Sequence, residues 1–237
     1  MYKRQVKGGG HGDYRLIALA PASVQEMADF VGLAFDLAFK YRNPAIILAD
    51  GVIGQMMEKV VLPEQRPRLT NEEVMARCPW ATFGKLKHRG PNIVTSLELD
   101  PAEMEKRNIH LQQKYAEIEE KEVRYEEIHC DDAEYLIVAF GSCARIAQKA
   151  MEEARAEGIK VGLLRPITLW PFPSKAIAER SRQVKGILTV ELNAGQMVED
   201  VRLAVECKVP VEYFGRLGGI VPDPDEVVTA LKEKIIK

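Results

Sequence analysis

Four stretches set polar or acidic residues beside glycines or probable turn positions, where chemistry is most often staged. Gly8-Gly9-Gly10-His11-Gly12-Asp13 stands immediately before an apolar run. Glycines let a backbone approach a ligand closely, so His11 and Asp13 are candidate ligand or partner contacts. The stretch reads equally well as a glycine-rich loop with ordinary polar residues. It is neither G-x-G-x-x-G after a strand nor a Walker loop, so it carries no phosphate fingerprint. Asp50-Gly51 ends the run AIILA, and open parallel sheets bind ligands at such strand ends. Strand-end aspartates also cap helices, and capping is the preferred role. Gly141-Ser142 follows YLIVAF. A helix start there would offer free N–H groups to an anion, but Ala144 breaks the G-x-S-x-G elbow, which leaves a plain β-to-α turn. Glu191, Asn193 and Gln196 mark another strand end and helix start. A buried Glu191 is a general-acid candidate, set against hydrogen bonding locally or across an interface, which is preferred.

Nothing completes these fragments into a catalytic set. The histidines His11, His88, His110 and His129 show no H-x-x-x-H spacing, and Cys78, Cys130, Cys143 and Cys207 form no C-x-x-C pair. A zinc ribbon or an iron–sulfur cluster held by this chain alone is therefore not expected. No nucleophile–base set is apparent either, so the expected catalytic and metal-binding residues are none. Scattered single cysteines suit a reducing cytoplasm.

Composition narrows the class. The chain has 237 residues, 46% hydrophobic and 29% charged, the profile of a globular protein of one large or two modest domains. A net charge of −2 gives no general attraction to nucleic acid or an anionic membrane. No apolar run approaches the roughly 18 residues of a membrane span, and Met1 to Gly12 lacks the apolar core of a secretory signal.

The elements that must position these residues alternate in type. Arg15 to Pro21 is a short apolar run. Ser23 and Glu26 form a capping-box signature before Val24 to Tyr41, where Met27, Val31, Ala34, Phe35 and Ala38 recur at helical spacing. Asn43-Pro44 ends that helix, and Ala45 to Ala49 is a second apolar strand, giving a βαβ unit. Pro63 to Pro91 has several prolines, both tryptophans and no sustained period, as in an excursion lying on other structure. Asp100-Pro101 opens a polar helix to about Glu127. Its weak stripe (Met104, Ile109, Leu111, Tyr115, Ile118) suits a solvated connector rather than a coiled coil.

From Asp132 onward, strands at Tyr135 to Phe140, Val161 to Leu164, Gly186 to Leu192 and Val209 to Phe214 alternate with helices at Ala144 to Ala156, Pro173 to Arg182, Gly195 to Cys207 and Asp225 to Ile236. Such alternation with short loops implies a parallel sheet. The expected class is α/β with two parallel-sheet domains, divided as 7–98, a connector at 99–130, and 131–237.

Five segments together carry a resemblance: GGGHGDYRLIALAP (Gly8 to Pro21), SVQEM (Ser23 to Met27), NPAIILAD (Asn43 to Asp50), RPITLWPFP (Arg165 to Pro173) and ELNAGQMVED (Glu191 to Asp200). They resemble the α subunit of 2-oxoacid:ferredoxin oxidoreductases, most nearly the branched-chain, 2-ketoisovalerate type, from Lys7 to Lys237. The resemblance implies a thiamine pyrimidine-side domain followed by a domain like the transketolase C-terminal domain. It implies oxidative decarboxylation of a 2-oxo acid to an acyl-CoA, with electrons passed to ferredoxin. Thiamine diphosphate and its magnesium would sit mainly on a β subunit, and the iron–sulfur clusters on further subunits, with coenzyme A and ferredoxin as reactants of the complex.

By the same resemblance His11, Asp13 and Asp50 lie near the cofactor, whereas Arg165, Glu191, Asn193 and Gln196 keep the fold or an interface. The family's α subunit also begins with a YPITP-type substrate loop and the glutamate that activates the thiamine aminopyrimidine, and neither occurs in this sequence. The expectation is therefore an incomplete first domain with exposed apolar surface, and no thiamine catalysis by this chain alone. Homo-oligomerisation is left open. The alternatives are 2-oxoglutarate or pyruvate as substrate, or a non-catalytic assembly or nucleotide-binding α/β protein.

Overall fold

A computed structural model describes residue 8, residues 13–82 and residues 90–236. The chain begins with the expected βαβ unit. Strand β1 (Ile17–Leu19) pairs in parallel with β2 (Ala45–Ile47), Ile17 opposite Ala45, and helix α1 (Val24–Tyr41) crosses between them. Ser23 caps α1 by accepting from the Glu26 N–H at 3.1 Å. The expected return bond of the box is replaced: the Glu26 carboxylate accepts from the Ala22 N–H at 2.7 Å and from the side chain of Arg165. The helix ends at Arg42, whose φ of 45° is left-handed, because Pro44 restricts the chain that follows.

The short helix α2 (Gly51–Gln55) then leads into a long excursion. Helix α3 (Asn71–Arg77) in it starts at a reciprocal capping box between Thr70 and Glu73. No described residue between Gly54 and Lys114 is buried. The excursion is fastened to α1 by Glu58 on the Val24 N–H, Gln25 with the Val61 backbone, Arg66 with Asp36, and the Trp80 ring on Phe39 with centroids 5.8 Å apart.

Asp100 caps α4 (Pro101–Lys121) with Pro101 in the first turn, as the sequence predicts. The connector is less solvated than its composition suggests. Tyr115 and Ile118 pack with Ile17, Leu37, Tyr41 and Trp170. Glu122, 4% exposed, accepts from Lys40, Tyr41 and Arg124.

The terminal sheet has the order β3-β5-β4-β7-β8, from β3 (Tyr125–Ile128), β4 (Tyr135–Ala139), β5 (Val161–Pro166), β7 (Ile187–Glu191) and β8 (Val211–Gly215). Strands β5, β4, β7 and β8 are mutually parallel, and β3 is an antiparallel edge strand. Alternation along β4 feeds two cores, as the period of a strand requires. Leu136 and Val138 face α6 (Ser174–Ser181) and α7 (Met197–Ala204). Ile137 and Ala139 face α5 (Ser142–Ala156) and α8 (Pro224–Leu231).

Two strands cross the divisions drawn from the sequence. Strand β3 lies inside the segment taken as connector, where YEEI gives little apolar signal. Strand β6 (Thr168–Trp170), the centre of RPITLWPFP, leaves the terminal sheet and pairs antiparallel with β1, so the small sheet runs β2-β1-β6. The small sheet also shares a core with the terminal unit, because Ala18 and Ala20 pack with Leu136, Leu164 and Leu169. Among described residues β2 pairs with β1 alone, and Val31 and Phe35 of the apolar face read from the sequence stay exposed on α1 together with Phe39. No described helix is long and apolar enough to cross a membrane.

Candidate functional site

The carboxyl ends of β2, β4 and β7 meet in a crevice of about 140 Å³ lined by Leu48, Asp50, Gly141, Cys143, Glu191 and Asn193 among others. Chain topology puts them there: three strand ends, each followed by a helix start, open on the same side of the fold.

Both acidic residues are already engaged. Asp50 Oδ1 accepts from the Val52 and Ile53 N–H groups, each at 3.0 Å, and Oδ2 accepts from the Ser142 N–H at 2.9 Å. Glu191, 1% exposed, accepts from the N–H groups of Gln196 (3.1 Å), Met197 (2.8 Å) and Val198 (2.9 Å). These are the orphan donors of helix starts, and a carboxylate there complements the helix dipole. Asn193 Oδ1 accepts from the Gly195 N–H at 2.8 Å, and its carbonyl accepts from the Tyr213 hydroxyl. Gln196 forms the N-cap position of α7.

Cys143 lines the same crevice, but burial, followed by the charges of Asp50 and Glu191, pushes its thiol up to about 12. It stays a neutral thiol near pH 7 and is no nucleophile. Among the described residues no histidine lines the crevice. The crevice also does not fit a diphosphate: the amides that would bind one hold Asp50 and Glu191, and 140 Å³ is below the roughly 300 Å³ at which small-molecule pockets begin. Among described residues no group of three or more His, Cys, Asp or Glu side chains could hold a metal ion.

Of the other residues expected at the site, His11 lies outside the described residues. Asp13 is exposed and sits at the connector helix, where its carbonyl accepts from Gln112 at 3.4 Å. It does not line the strand-end crevice. Arg165, 7% exposed, grips Glu26 through both terminal nitrogens, each at 2.8 Å, and donates from Nε to Glu126 at 2.9 Å. Burial works against the Arg165 charge, and the bonds to Glu26 more than restore it. Burial likewise favours a neutral Glu26, but the bonds from Arg165 and the Ala22 N–H hold its carboxyl below its ordinary value.

Sequence reasoning named Arg165 as a fold-keeping residue without its pairing to Glu26, and it missed Glu58, which accepts from the Val24 N–H at 3.0 Å and from Arg145 at 2.6 Å. The only sequence signal for Glu26 was its capping-box spacing, which named a different partner.

A second cavity of about 670 Å³ lies between α4, the loop from β6 to α6, and α7, with Arg15, Glu119, Tyr125, Trp170, Lys175 and Leu203 on its walls. Its walls carry charges of both signs, Arg15 and Lys175 against Glu119 and Glu120.

Comparison with known proteins connects this architecture to a family. Residues 1–128 match the model described as pyruvate flavodoxin/ferredoxin oxidoreductase, thiamine diphosphate-binding, and residues 133–227 match pyruvate:ferredoxin oxidoreductase core domain II. The ketoisovalerate oxidoreductase subunit VorB of Methanothermobacter thermautotrophicus is 49% identical over 232 residues, covering 98% of this chain and 64% of that protein. This chain thus spans about 64% of the length of that relative. The 2-oxoglutarate synthase subunit KorA of Methanothermobacter marburgensis is 32% identical over 247 residues, covering 96% of this chain and 66% of that one. Among solved structures, the 2-oxoglutarate:ferredoxin oxidoreductase of Magnetococcus marinus superposes with a TM-score of 0.71 at 22% identity, over 94% of this chain and 43% of that chain. At that identity the superposition speaks for the fold. Because the first model alone matches residues 1–128 of the 237, the chain belongs to the pyruvate flavodoxin/ferredoxin oxidoreductase family.

Proposed function

We propose that this chain is part of the α subunit of a thiamine-dependent 2-oxoacid:ferredoxin oxidoreductase that converts a branched-chain 2-oxo acid such as 2-ketoisovalerate to an acyl-CoA and reduces ferredoxin. The observation that carries the substrate class is the gap between 49% identity to a ketoisovalerate oxidoreductase subunit and 32% to a 2-oxoglutarate synthase subunit over nearly the same span. A branched side chain asks for an apolar wall, and a second carboxylate asks for a buried cation. The two pockets impose different sequences on the subunits around them.

The chain acts within a complex. At its strand-end crevice the helix-start amides are taken by the chain's own carboxylates, which supports a β subunit as the holder of the diphosphate and its magnesium. The absence of C-x-x-C spacing in the sequence suits iron–sulfur clusters carried by other subunits. The resemblance supports His11 and Asp13 as contacts to the cofactor–substrate region of the assembled enzyme. Asp50 contributes to that region through the end of β2, its carboxylate being engaged by three backbone amides. Arg165, Glu191, Asn193 and Gln196 hold the fold together. The free cysteines suit a cytoplasmic location.

Co-expression with candidate β and cluster-bearing subunits tests this function. Co-purification and 2-ketoisovalerate- and CoA-dependent viologen reduction are expected. A complex that assembles and reduces viologen only with pyruvate or 2-oxoglutarate overturns the substrate, and failure to associate with any such subunit overturns the function. The Ser142 amide held by Asp50 and the three α7 amides held by Glu191 weigh against a nucleotide-binding role at these helix starts.

A further inference from the structure

We propose that Asp50 is a latch between the two α/β units: its carboxylate caps helix α5 from 92 residues away and holds the first unit on the terminal sheet.

Helices α1, α2, α3 and α4 start on side-chain caps supplied by their own chain segment, Ser23, Asp50, Thr70 and Asp100. Helix α5 has 15 residues and starts at Gly141, which has no side chain to offer and makes no side-chain cap. Its φ of 63° is left-handed, and a Cβ there would come within 3.0 Å of Asp50 Oδ2. Glycine at this position therefore does two things: it leaves the helix without a cap of its own, and it makes room for a carboxylate from the first unit. Asp50 fills that room with one oxygen and uses the other to start α2. One side chain thus satisfies orphan amides on both sides of the junction.

The contacts around it follow the same axis. Arg145, one turn into α5, pairs with Glu58 just beyond α2, and Glu58 accepts from the Val24 N–H at the start of α1. Ser142 is 3% exposed, so bulk solvent has little access to replace the carboxylate. A displacement of the first unit by a docking subunit would uncap α5, which gives the terminal sheet a direct response to what happens at β2.

Amide hydrogen exchange on the full chain tests the latch. In Asp50→Ala, exchange at Ser142, Val52 and Ile53 should rise about tenfold or more, while Met197 and Val198, capped by Glu191, stay as they are. Formate should restore protection at Ser142 in Asp50→Ala, and chloride at equal ionic strength should not. The wild-type chain should respond to neither. Unchanged protection at Ser142, or equal effects of formate and chloride, overturns the proposal. If Asp50→Ala does not fold, Asp50→Asn keeps shape and one acceptor oxygen. Selective loss of protection at Ser142 relative to Met197 then supports the latch, and unchanged protection at Ser142 contradicts it.

Discussion

Arg165 and Glu26 lie 139 residues apart and form a two-pronged ion pair with both N–O distances at 2.8 Å. The pair joins the first turn of the crossover helix to the end of a central strand of the terminal sheet. With Arg165 at 9% side-chain exposure and Glu26 at 26%, solvent screens it much less than a surface bridge. Two parallel bonds also fix the relative orientation of the two planar groups.

Removing the arginine should cost more than removing the pair. Arg165→Ala leaves Glu26 half-buried without its counter-charge, and a loss of about 3–5 kcal/mol is expected for breaking a buried pair from one side. Arg165→Met with Glu26→Gln should recover much of that loss. Urea denaturation of the two single variants and the double variant reads the coupling.

Acid should loosen this junction in a defined direction. The folded Glu26 carboxyl lies below its ordinary value of 4.5, burial being outweighed by the Arg165 and Ala22 bonds. Its contribution is therefore fully present above pH 4.5 and is lost as pH falls below it, because the unfolded chain takes up the proton first. Stability curves between neutral pH and pH 3 should show a shallower acid limb in Glu26→Gln than in the wild-type chain.

Glu191 caps α7 with three amide bonds from a site that is 1% exposed. Glu191→Gln keeps one acceptor oxygen and brings a buried NH2 group against amide donors, so a loss of about 1–3 kcal/mol is expected. Thermal denaturation checks it. Loss of protection confined to Gln196, Met197 and Val198 would identify the cap as the cause.

The cysteines should separate cleanly by reactivity. Burial leads in raising the thiols of Cys130, to about 11, and Cys143, to about 12, so both remain protonated at pH 8 and inaccessible in the folded chain. Cys207 is exposed. Alkylation with iodoacetamide followed by peptide mass mapping should label Cys207 first and reach Cys130 and Cys143 only on unfolding.

Much of the architecture was legible because local chemistry and tertiary packing agree. The Ser23 and Asp100 caps, the stop at Asn43-Pro44 and the alternation in YLIVAF each say the same thing at both levels. Strand β6 was not legible. TLW is three residues between prolines, and only its partner β1, more than 140 positions earlier, makes it a strand. Strand β3 escaped for a related reason, since YEEI is an edge with two glutamates whose partners, Arg165 and Arg180, are distant in sequence. At the site, the capping role of Asp50 could be anticipated from its place at a strand end. Its second bond, to Ser142, depends on how two units meet and leaves no local pattern.

The substrate class is tested most directly by kcat/KM for 2-ketoisovalerate, 2-oxoglutarate and pyruvate, measured on one reconstituted complex containing this chain, with CoA and ferredoxin present. A branched-chain enzyme should prefer 2-ketoisovalerate over 2-oxoglutarate by about tenfold or more, the scale on which pocket contacts discriminate between such substrates. Equal values, or a preference for 2-oxoglutarate, would contradict the branched-chain assignment.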